Sequence, residues 1–167
     1  MIAPPEFLVQ LFKPWNDFYS HSKVAESIVV FLHIGGILLA GGLAIAADRA
    51  TLRALKVDAA ARAYPMKELA AVHRWVITGL AIVVISGLAL LTSDLETFFG
   101  SWIFWVKMAL VVTLLINGLM MTRTEASLAK DASEASPHWG ALRGTAVRSL
   151  TLWFVITLLG AALANVA

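Results

Sequence analysis

Four stretches of the chain carry almost nothing but apolar residues: 28–47, 75–93, 102–122 and 149–167. A helix needs about 20 such residues to cross a hydrocarbon layer of roughly 30 Å at about 1.5 Å per residue. With no water to satisfy free backbone groups there, helices are the spans these lengths allow. The pattern therefore predicts an all-α, integral membrane four-helix bundle, one domain over residues 1–167. Ahead of the first span, Phe7, Leu8, Leu11, Phe12, Trp15, Phe18 and Tyr19 recur at three- and four-residue spacing. This predicts an interfacial amphipathic helix within residues 1–25, broken or kinked at Pro14. It serves as a surface anchor or as a lid over a site that opens outward. The alanine-rich stretches 59–71 and 125–135 read as helical extensions of the spans, with Pro65 in a first turn and 137–144 as a turn before the fourth span.

Basic residues are distributed unevenly between the connections. The first holds Arg49, Arg53, Lys56, Arg62, Lys67 and Arg74, and the third holds Arg123, Lys130, Arg143 and Arg148. The short connection 92–101 has none, only Asp94 and Glu96. The positive-inside rule then places the first and third connections in the cytoplasm and both termini outside, as in a multi-pass protein of a bacterial inner membrane. No basic, apolar and small-residue series marks a signal peptide at the N-terminus.

Composition agrees: 59% of the 167 residues are hydrophobic and 14% charged, and the mean hydropathy is +0.79, far from soluble averages. The absence of cysteine excludes disulfides, thiolate metal sites, cysteine nucleophiles and covalently attached haem. A net charge of only +2 with no basic, aromatic-interleaved stretch argues against nucleic acid. No Asp or Glu falls inside the four segments, so paired-carboxylate or Ser-His-Asp hydrolysis is not expected. The partner is the lipid bilayer.

Ionisable residues inside a membrane are costly and usually face the interior. His33 is the first. At 100° per residue it shares a narrow stripe with Gly36, Ala40, Ala44 and Ala47, flat enough for a neighbouring helix or a planar macrocycle to approach. Lys107 is the second, at a depth of roughly 8 Å like His33, so the two can meet. It either snorkels outward along Trp102, Phe104 and Trp105 or pairs with an anion. His73, with Arg74 and Trp75, forms a third cluster at the inner boundary, as interfacial anchors or as a ligand set. His33 and His73 lie roughly 20 to 25 Å apart along the normal if the helices are straight, too far for one iron. Two histidine pairs remain open, His21 with His33 and His138 with His73. Asn117, Thr78, Ser86, Thr113 and Thr157 are polar positions suited to interhelical or back-bonding hydrogen bonds.

The segments FLHIGGILLAGGLAIAADR, HRWVITGLAIVVISGLALL and WIFWVKMALVVTLLINGL together resemble the copper-resistance D type of membrane domain and its relative, the haem-containing J-type protoporphyrinogen oxidases. His33 with Gly36, Arg74, and Trp105 with Lys107 carry the likeness, which covers about residues 24–117. The oxidase resemblance implies b-type haem, with His33 as ligand and Arg74 and Lys107 handling propionates or protons. The copper-resistance resemblance implies metal handling at the outer face, although Met108, Met120 and Met121 share one helix and are not grouped with His33.

The reading that follows is a membrane protein binding one or two b-type haems and working in redox chemistry or electron transfer, with a quinone or other membrane redox partner, as a single chain or as a homodimer around the macrocycle. His33 and His73 are the expected metal ligands, and Gly36, Ala40, Arg74 and Lys107 the expected haem contacts. The alternatives are a porphyrinogen-oxidising enzyme, and a metal transport or assembly subunit without haem, in which His33 and Lys107 form a polar gate.

Overall fold

The computed structural model describes residues 3–56, 59–128, 130 and 136–166, with side chains left aside at 59–71 and 166. The described chain contains six helices and no strand: α1 (Glu6–His21), α2 (Lys23–Ala54), α3 (Ala59–Ser93), α4 (Leu95–Gly100), α5 (Trp102–Leu128) and α6 (His138–Val166). Four of them, α2, α3, α5 and α6, are long and apolar enough to cross a membrane. This is a multi-pass, all-α four-helix membrane bundle.

Each span outlasts its apolar run. Alanine and long side chains beyond the run favour helix continuation, and nothing at residues 48–54 or 123–128 interrupts the hydrogen-bond ladder. So α2 carries Asp48 and α5 carries Glu125 within the helix. The expected turn at 137–144 shrinks to Ser136 and Pro137, because α6 begins at His138. Pro65 falls several residues inside α3, not in its first turn. Pro14 does not break α1, which is continuous from Glu6 to His21. Residues 129 and 131–135 of the expected extension after α5 lie outside the described residues.

Ends are set by local chemistry. Ser22 adopts an extended conformation and caps α2 by accepting from the Ala25 amide at 3.2 Å. Asp94 does the same for α4, accepting from Thr97 at 3.1 Å.

The spans are ordered α3, α2, α6, α5. Close backbone contacts link α2 to α3, α2 to α6 and α5 to α6, while α3 and α5 make no comparable approach. α2 and α3 are antiparallel, and small residues bring them together. A Cβ on Gly36 would lie 2.9 Å from a Val83 methyl, and one on Gly79 would lie 2.7 Å from the Ala40 backbone nitrogen. Gly41 gives the same close approach to α6, where the Trp153 ring would meet an added Cβ at 2.9 Å. In lipid, where apolar surface gains little from leaving the solvent, this dispersion contact is the main force between helices. All four spans meet in an apolar layer at mid-bundle: Ala40, Leu114, Trp153 and Ile156 are buried, with Leu80 of α3 packed against them. Outward-facing Phe31, Leu38, Ile85 and Leu158 stay exposed, as lipid-facing residues should.

Candidate functional site

The first polar centre lies toward the end that carries α1. His33 Nδ1 is 3.0 Å from the Ser86 hydroxyl across the α2 and α3 interface. The Ser86 hydroxyl donates to the Ile82 carbonyl at 2.6 Å. It therefore accepts from His33, which carries its proton on Nδ1 in this arrangement. Gly87 leaves room for the ring, since a Cβ there would stand 3.2 Å from His33 Cε1. Lys107 completes the centre. Its Nζ lies only 3.4 Å from where Gly160 of α6 would carry a Cβ, and its charge is within electrostatic reach of His33. Lys107 is turned toward α6 and half-buried. Among the described residues Lys107 makes no hydrogen bond or ion pair.

α1 sits directly above this centre. Trp15 Nε1 donates to the Ala89 carbonyl at 2.9 Å, and the Asn16 amide donates to the Ser93 carbonyl. Ala89 is one helical turn beyond Ser86. Phe7, Leu11 and Phe18 remain exposed along the rest of α1.

The second polar centre lies toward the end with the basic connections. Asp48 of α2 is only 2% exposed and accepts a hydrogen bond from Ser149 of α6. Glu125 of α5 is within electrostatic reach of both Asp48 and His73. Thr51, Asn117 and Thr145 are buried nearby in sequence and register, and Asn117 Nδ2 donates to the Thr145 carbonyl at 2.9 Å. Asp48 is not among the residues the sequence singles out, because a charge directly after an apolar run ordinarily marks the end of a span. The signal was present: the stripe through Gly36, Ala40 and Ala44 reaches Asp48 and Thr51 if its three- and four-residue spacing is continued.

The remaining expected site residues separate. Gly36 and Ala40 do not line a slot, since α3 fills the stripe with Val83 and Gly79. Helix packing takes the surface a porphyrin would need. His33 faces Ser86, while His73 lies earlier on the same α3 helix, about 20 Å away along its axis. Arg74 is exposed, its guanidinium 6.0 Å from the Trp75 ring, far from Lys107 at the other end. His21 is exposed and turned back on its own helix, its Nδ1 2.7 Å from the Asp17 carbonyl. It precedes His33 by about 16 Å of helix. His138 starts α6, again about 16 Å before Ser149, the residue beside Asp48. The four histidines occupy four levels, so these residues do not fit a haem clamped between two of them. Among the described residues no group of three or more His, Asp or Glu side chains is placed to hold a metal.

Comparison with known protein families, characterised proteins and solved structures finds no match to this chain.

Proposed function

We propose that this chain is a transport subunit of a bacterial inner membrane in which His33 and Lys107 form the polar gate, working without haem. One observation carries the reading: an imidazole and an unpaired, half-buried ammonium share one level of the interior, separated by the Trp153 layer from a second polar centre at Asp48. A desolvated ammonium is stabilised by an anion beside it. Lys107 has none among the described residues, so the gate suits a solute that brings its own carboxylate. His33 is the group beside it able to hold or release a proton near neutral pH. α1, tied to Ala89 and Ser93, closes the gate from outside.

The test is uptake of labelled succinate into proteoliposomes under an imposed pH gradient. The wild type should exceed empty vesicles, Lys107→Met should abolish the difference, and His33→Gln should reduce it severalfold. Uptake equal to that of empty vesicles overturns the reading.

A second reading, haem-based redox chemistry with a quinone or other membrane partner, has one observation behind it, the inward imidazole with a cation beside it. It requires a single histidine ligand and a porphyrin outside the filled Gly36 and Ala40 stripe. Air-oxidised and dithionite-reduced spectra of protein made with ample haem decide it. A reduced α band that vanishes in His33→Ala supports this reading against the gate, and a colourless protein removes it.

A further inference from the structure

Three buried side-chain oxygens lack a hydrogen-bond partner around the second polar centre: Asp48 Oδ2, Thr51 Oγ1 and Asn117 Oδ1. Their residues are 2%, 1% and 4% exposed. Ser136 Oγ is also unpartnered, but it lies in the turn before α6, remote from this group. Orphaned polar atoms this deeply buried are rare in folded proteins, and an unpaired carboxylate oxygen is the costliest kind.

α6 is bonded to two of the three residues. Asp48 accepts from Ser149, and Asn117 donates to the Thr145 carbonyl. Thr145 and Ser149 lie one turn apart on the same face of α6. Thr51 follows Asp48 by three residues on α2 and so shares its face. Two helices, α2 and α5, therefore carry buried unpartnered oxygens at the level of one turn of α6. The titratable groups facing this region are Glu125, whose charge acts on Asp48, and His73, whose charge acts on Glu125. Among the described residues no lysine or arginine forms an ion pair with Asp48.

The geometry points to a sodium ion held by Asp48, Thr51 and Asn117. Oxygen-only donors suit hard cations and not copper, zinc or iron. A single carboxylate in direct contact balances one positive charge, whereas divalent sites gather more carboxylate and carbonyl ligands. The site also lies in the last two turns of α2, where the helix dipole favours a cation. The existence of the site does not depend on the gate; only a role as the coupling ion of transport rests on that reading.

Thermal unfolding of the full-length protein in a neutral detergent, with sodium chloride exchanged for choline chloride at constant ionic strength, tests the site. Ligand binding to the folded state raises the Tm by mass action. The wild type should show a saturable rise of several degrees with sodium. Thr51→Val, close in shape, should move the half-saturating sodium concentration up by about tenfold, the loss expected for one good ligand. Asp48→Asn should abolish the dependence. Equal Tm in sodium and choline overturns the proposal, and so does a Thr51→Val response identical to wild type. A Tm that rises on acidification but ignores sodium would also overturn it, by making the occupant a proton. Sodium-dependent stability without succinate uptake would retire the gate and leave the ion site standing.

Discussion

His33 and Ser86 face each other across α2 and α3 at 3.0 Å, in the same antiparallel register that seats Gly36 on Val83 and Ala40 on Gly79. The polar contact and the close packing are therefore one structure. Moving α3 by a single residue would turn Ser86 away and bring larger side chains onto Ala40.

Ser86→Ala should remove the hydroxyl facing the imidazole and leave it only the Val83 backbone as a partner. Interhelical hydrogen bonds in membranes are worth about 0.6 kcal/mol on average and up to about 1.7. We expect a loss in that range, read from thermal or denaturant unfolding in detergent. Ser86→Thr, which keeps a hydroxyl, should lose less.

Gly79→Leu should separate α2 from α3. The added Cβ alone would meet the Ala40 backbone nitrogen at 2.7 Å, and a backbone cannot rotate out of the way. Overpacking of this kind costs about 1–3 kcal/mol or more. Gly42→Ala is the control, since nothing lies within 4 Å of a Cβ there. It should be neutral or raise the Tm, alanine being the better helix former. Equal losses in both variants would contradict the packing described.

Trp153→Ala should damage the layer between the two polar centres. Trp153 is 6% exposed and lies against Gly41. Truncation of a buried aromatic costs about 3–5 kcal/mol. If the layer is also the barrier between the centres, proteoliposomes carrying this variant should leak protons faster than wild type, measured with an entrapped pH dye.

Trp15→Ala should release α1 from the end of α3 by removing the bond to the Ala89 carbonyl. Tryptic cleavage at Lys23, which is exposed where α1 joins α2, should accelerate severalfold, while unfolding of the four spans changes little. Unaltered cleavage would mean that Trp15 is not the tether.

The spans were legible because their signal is local: a run of apolar residues of sufficient length has one stable form in lipid, wherever it sits in the bundle. The same holds for α1, whose periodic aromatics announce a helix at a surface, though Pro14 does not break it. A proline's neighbours decide whether a helix tolerates it, and here the helix bonds on both sides persist. The shared level of His33 and Lys107 was also foreseeable, since both helices run inward from the same side and depth along each follows from counting residues.

Other assignments depended on which surfaces meet. A stripe of small residues such as Gly36 and Ala40 is equally compatible with a helix or a macrocycle; only the placement of Gly79 and Val83 shows that α3 fills it. Asp48 looked like the end of a span because a charge ordinarily marks the water boundary. Its burial follows from α2 continuing to Ala54 and from α6 offering Ser149. The sequence by itself determined the number, length and helical nature of the spans, because hydrogen bonding in hydrocarbon leaves no alternative. Tertiary structure alone decided which polar groups find partners and which, like Asp48 Oδ2, are left without one, because that depends on the rotation and register of helices remote in the chain.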